Sequence, residues 1–116
     1  MMHSQMRQFG KVTSIVFDFP EVDDILPMHS HTEADIHITI IARGSFKVHG
    51  DGWEMTAKAG DVIDWEVGQV HELIALEPNS RFVNYHFHFL NHYCLLQNNY
   101  SHWYYLLSII DLRFSI

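Results

Sequence analysis

Ten of the 116 residues are histidine, at positions 3, 29, 31, 37, 49, 71, 86, 88, 92 and 102, an excess that asks for a chemical reason. Neutral imidazole is the commonest protein ligand for mid-series divalent metals, so metal binding is the first chemistry to test against their spacing. His29 and His31 lie two apart, and on an extended chain both side chains point to one face. His37 opens a run, IHITIIAR, on the same face as Thr39 and Ile41, and His71 opens another strand just after Gly68. A short extended pair and two neighbouring strands can bring these four imidazoles to one point inside a small barrel. His86 and His88 form a second alternating pair, opposed along their strand by Tyr85, Phe87 and Phe89. Their residue types fit a polar surface face, or a pocket wall with a proton-handling role.

The elements that must position these residues read as strands. Val12 to Phe19 is rich in β-branched and aromatic residues and stops at Pro20. Further strands are expected at Met28 to His31, Ile36 to Arg43, Ser45 to His49, Trp53 to Lys58, Val62 to Glu66, His71 to Leu76 and Arg81 to Phe89. The turns between them carry Gly44, the triplet at 50 to 52, Gly60, Gly68 and the sequence EPNS at 77 to 80. Short strands at near-regular spacing, with no helical periodicity before residue 90, predict an all-β sandwich or barrel. Residues 1 to 10 read as a loose leader, 11 to 90 as the barrel, and 91 to 116 as a C-terminal extension whose sequence suits helix and strand equally.

Composition limits the rest. Hydrophobic residues make up 47% and charged residues 18%, enough apolar side chain for one packed domain. A net charge of -7 repels phosphate backbones and anionic headgroups, so neither nucleic acid nor a membrane surface is an expected partner. A single cysteine, Cys94, allows no intramolecular disulfide and no cysteine-based zinc site, which fits a reducing cytoplasm. No apolar run approaches the ~20 residues that span a bilayer. Ile36 to Arg43 is apolar on both faces, with Ile36, Ile38 and Ile40 on one and Ile41 on the other. The barrel exterior is therefore expected to be covered, and a homodimer through the Ile36, Ile38, Ile40 face is the simplest cover.

Two stretches resemble the paired motifs of the cupin superfamily. His29, Ser30, His31, five residues, His37, six residues and Gly44 are similar to the first motif, a His-x-His pair followed by Glu and a closing Gly. Gly60, seven residues, Gly68, two residues and His71 are similar to the second. The resemblance covers roughly residues 10 to 90 and implies a double-stranded β-helix, or jelly-roll barrel. It implies a bound divalent transition metal (iron, manganese, nickel, zinc or copper) with His29, His31, His37 and His71 as ligands. The sequence departs from the pattern at several points. His37 stands in place of Glu after a gap one residue too long, Asp23 in place of a leading Gly, Glu66 in place of Pro and Ala75 in place of Asn.

Replacing Glu by His changes the electrostatics. Four neutral imidazoles leave a divalent ion with its full +2 charge, which favours an anionic, oxygen-bearing small molecule as its ligand. Phe46, Trp65, Leu73 and Tyr85 are expected to line the space around it. Loss of the Glu also removes a carboxylate base, leaving Asp64, Glu66 and His86 as candidates for proton transfer. The expectation is a metal-dependent enzyme, a dioxygenase or other oxidoreductase ahead of an isomerase or lyase, acting on a small anionic organic substrate. The competing expectation is a cupin that binds a small ligand or metal without turnover.

Overall fold

The computed structural model describes residues 1–31 and 36–87. Among them are nine strands and no helix: β1 (His3–Phe9), β2 (Val12–Phe19), β3 (Ile25–His29), β4 (Ile36–Arg43), β5 (Ser45–Gly50), β6 (Trp53–Lys58), β7 (Val62–Trp65), β8 (His71–Ala75) and β9 (Ser80–Phe87). Every pairing is antiparallel. One sheet runs β1-β2-β9-β4-β7 and the other β3-β8-β5-β6, which is the all-β, two-sheet jelly roll expected. The readings of His88, Phe89, Cys94 and the 91–116 extension lie outside the described residues.

The first ten residues are not a loose leader. His3–Phe9 pairs along its whole length with β2, although every one of its residues is exposed. Backbone hydrogen bonds build this edge strand, and its polar side chains keep it from acting as a sticky edge.

Alternation sorts β8 and most of β9 into an inward and an outward row. On β9 the buried Ser80, Phe82, Asn84 and His86 face inward, and register aligns them with Phe19, Phe17, Ile15 and Thr13 of β2. Phe19, Ile41, Phe46, Val48, Ala57, Trp65, Leu73, Ala75 and Phe82 form the main core between the sheets. Phe19, Phe46 and Phe82 meet one another at centroid distances of 4.9 to 5.4 Å, within the range of favourable ring contacts. Outside the five-stranded sheet, Val12 and Phe87 pack with Ile36 and Tyr85, and Ile38 is 5% exposed. Tyr85 therefore belongs to the outward row beside Ile38, not to the interior lining expected of it.

Two positions show how the backbone is held. Gly44 sits at φ 77°, and a Cβ there would run into the side chain and backbone of Ser80. Asp23, standing where the motif has Gly, also takes a positive φ, 73°, and its amide donates to the Ala75 carbonyl at 2.9 Å. The left-handed conformation has been kept while the residue that adopts it most easily has not.

Candidate metal centre

Five histidines meet at one end of the barrel, delivered by three separate devices. The first is a β-bulge. Leu26 pairs with Leu73 and His29 with His71, so three steps along β3 match two along β8. Without the extra residue, Leu26 and His29 would face opposite ways; with it, both face inward. Pro27 sits in this irregular stretch, where its lack of an N–H costs no ladder bond. From the outside, Glu72 holds the same segment, accepting from the Met28 amide at 3.1 Å while its other oxygen meets His49 Nε2 at 3.0 Å.

The second device is a turn. The Gly68 amide donates to the His31 carbonyl at 2.9 Å, so the glycine of one motif fixes the histidine of the other. The third is cross-strand register. His37 on β4 pairs directly with Trp65 on one side and His86 on the other, bringing all three side chains to the inner face. Ring centroids lie 4.3 Å apart for His29–His71 and His37–His86, 4.4 Å for His31–His37, 4.8 Å for His29–His31 and 4.9 Å for His31–His86.

The four expected ligands do not form a single group. Among the described residues, ligand nitrogens gather within 4.8 Å of one another in two triads, His29–His31–His71 and His31–His37–His86. His31 belongs to both. In the first triad His29 and His31 are half-buried; in the second, His37 and His86 are buried. His86, read from sequence as a surface or proton-handling residue, is thus part of the histidine cluster.

The two carboxylate candidates lie apart from the cluster. Asp64 pairs with Ile38 on β4, so it lies on the outward face while its neighbour Trp65 points in. Glu66 is exposed beyond the end of β7, where its backbone amide binds Gln69 Oε1 at 3.0 Å. Among the described residues, neither metal-ligand group contains a carboxylate. Phe46, Trp65 and Leu73 are buried in the core as expected. Trp65 stacks on His71 with ring centroids 4.0 Å apart.

The imidazoles are oriented for coordination. A carbonyl oxygen can only accept, so His29 Nδ1, 2.6 Å from Pro27 O, and His71 Nδ1, 2.8 Å from Gln69 O, must each carry a proton. That tautomer leaves the Nε2 lone pair of each ring available. His37 follows the same logic through side chains. Trp65 Nε1 donates to Thr39 Oγ1 at 2.8 Å, Thr39 Oγ1 donates in turn to Asn84 Oδ1 at 2.5 Å, and Asn84 hydrogen-bonds the His37 ring. His37 Nε2 is buried without a hydrogen-bond partner, so the Asn84 contact is made at Nδ1. Burial, reinforced by the neighbouring His86, His31 and His71, pushes His37 down from 6.5 to about 2. Burial likewise lowers His71 to about 4, opposed by its bond to the Gln69 carbonyl. Both rings are therefore neutral at pH 7 and able to donate to a cation.

An orphaned buried nitrogen, rings preset by oxygen acceptors and an all-imidazole donor set all fit a divalent transition metal. Thr39 and Asn84 carried no motif. Their role became visible only once register placed them beside His37.

The two-sheet barrel recurs among known structures. No protein-family model matches the sequence, and no curated protein does. Among solved structures, KdgF from Halomonas sp. superposes with a TM-score of 0.65 at 19% identity, covering 72% of this chain and 77% of its own. A cupin-2 domain protein from Shewanella frigidimarina gives 0.61 at 14% identity, over 73% and 79%. A conserved protein with a double-stranded β-helix domain from Klebsiella pneumoniae gives 0.64 at 21%, over 72% and 74%. This chain has the cupin fold, an RmlC-like double-stranded β-helix. Within that class it is a single barrel with a histidine cluster that can hold a metal ion.

Proposed function

We propose that the protein binds one divalent transition metal at this cluster and uses it on a small anionic organic molecule. The observation that carries the reading is the donor set: three-histidine groups with Nε2 lone pairs available and, among the described residues, no carboxylate in either group. A bound divalent ion supplies uncompensated positive charge for an anionic oxygen ligand and, if it is iron, manganese, copper or nickel, access to redox chemistry. The chain's own residues do the rest. His29 and His71 present Nε2, fixed by the Pro27 and Gln69 carbonyls, and the Trp65–Thr39–Asn84 relay fixes His37. Trp65 and Leu73 close the cluster off from the core side and exclude water there. Ligand enters past His29 and His31, the half-buried members.

The enzyme reading is a dioxygenase or other oxidoreductase, with isomerase or lyase chemistry behind it. The outward placement of Asp64 and Glu66 favours a second reading, ligand or metal binding without turnover, because those two carboxylates are not at hand to move a proton. The proposed setting is a reducing cytoplasm, and the proposed assembly is a homodimer through the Ile36, Ile38, Ile40 face, which light scattering checks as a mass of two chains. Metal analysis after reconstitution tests the main reading. One equivalent, held more weakly by His71→Ala, is expected; substoichiometric metal in the intact protein contradicts it. Titrating small carboxylates and hydroxy acids into the loaded protein, followed by product analysis, separates turnover from binding.

A further inference from the structure

The five histidines do not fall into one ligand group, and their geometry divides them. An ion with metal–nitrogen bonds of about 2.1 Å holds its ligand nitrogens no more than about 4.2 Å apart. His29, His31 and His71 approach that condition together, and so do His31, His37 and His86. We propose that His31, His37 and His86 form a second, deeper metal position, filled in exchange with the outer position made by His29, His31 and His71. This rests on the metal-binding reading above and adds a ligand, His86, and a location.

Three observations support it. His37 and His86 are direct cross-strand partners on β4 and β9, the strands with neighbours on both sides in the five-stranded sheet, so their spacing is fixed by the ladder. Their ring centroids are 4.3 Å apart, and the His31 ring lies 4.4 and 4.9 Å from them. His37 is held at Nδ1 by Asn84, with a buried Nε2 that has no hydrogen-bond partner in the protein. That buried nitrogen needs a partner, since a polar atom shielded from water and left unpaired is costly.

The two positions exclude one another. Both draw on His31, and two divalent ions a few ångströms apart would repel strongly in a partly desolvated site whose donor groups include no carboxylate among the described residues. The outer position has two half-buried ligands beside the buried His71 and exchanges with solvent through them. The deeper one has two buried ligands and releases its ion more slowly.

Zinc titration against a chromophoric chelator tests this on the full-length protein. Wild type is expected to bind one equivalent. His86→Asn should still bind one through the outer triad, and the double variant H29N/H71N should still bind one through the deeper triad, each about 10–100-fold more weakly. H29N/H71N/H86N should bind none. Loss of all binding in a folded H29N/H71N, with wild type intact, overturns the deeper position; two equivalents in wild type overturn the exclusion. No binding by wild type overturns the underlying metal reading as well, and is distinguishable from both. A readout free of variants is NMR of nitrogen-labelled histidines in the protein loaded with a spin-active cadmium isotope. Nitrogen–cadmium coupling at His37 and His86 as well as His29 and His71 is expected, and coupling that omits His86 refutes the proposal.

Discussion

The two ends of the barrel are made by the same strands and have opposite characters. Along the inner row of β9 the chain passes from Phe82 through Asn84 to His86; along β4 from Ile41 through Thr39 to His37; along β8 from Ala75 through Leu73 to His71. One or two pleats thus carry each strand from the Phe19–Phe46–Phe82 cluster to the histidine cluster. The phenylalanine end removes apolar surface from water and supplies stability. The histidine end buries polar rings, and burying them costs stability unless each finds a partner. Trp65 stands at the border, packed into the core on one side, stacked on His71 and hydrogen-bonded to Thr39 on the other. The apolar half supplies the stability that burial of the polar half costs, so substitutions at the two ends should fail differently.

The largest expected effect is at the apolar end. Phe46→Ala should cost about 3–5 kcal/mol, seen as a loss of the thermal transition with and without metal. At the other end, His71→Ala should weaken metal binding by about 10–100-fold in a competition titration, since the outer position loses a buried ligand while the group His31, His37 and His86 keeps all of its own. The apoprotein should still melt cooperatively. If His71→Ala abolished folding, the division between the ends would fail. Thr39→Val lies at the border and should do some of both. It leaves Trp65 Nε1 and Asn84 without their shared partner, at about 1–3 kcal/mol, and loosens His37, at about 10–100-fold in metal affinity.

A pH titration separates the ends without mutation. His37 and His71 are depressed in the folded protein to about 2 and about 4, against 6.5 for a free ring. Below pH 6.5 the unfolded chain therefore binds protons that the folded chain refuses, and stability falls as pH falls. Thermal melts of the apoprotein should show this loss beginning near pH 6.5 and continuing below pH 4, and a flat profile over that range would contradict the burial of these rings. The smallest effect lies away from both ends. Asp23→Gly should raise stability by less than about 1 kcal/mol in denaturant unfolding by relieving a positive φ, with metal affinity unchanged.

Much of this was legible in the sequence, and the misses share a cause. Val12–Phe19, Ile36–Arg43 and Trp53–Lys58 were readable because β-branched and aromatic runs end at Gly, Pro or charged turns. The strand at His3–Phe9 was not, because its composition is polar and only pairing with β2 creates it. The start of β3 was hidden by Pro27 and by a bulge that no local pattern announces. The four motif histidines were found by spacing, but their division into two triads depends on register between β4 and β9, which no single stretch encodes. Asp64 and Tyr85 were misplaced for a simpler reason. Asp64 is adjacent to the inward Trp65 and Tyr85 to the inward His86, so alternation along each strand turns both outward.

The central claim is that imidazole Nε2 atoms at one end of this barrel hold a divalent ion. X-ray absorption spectroscopy at the metal edge of zinc-reconstituted protein tests it most directly. The expected spectrum shows nitrogen neighbours at about 2.0–2.1 Å with the outer-shell scattering of at least three imidazole rings. An oxygen-only shell with no imidazole scattering would contradict it.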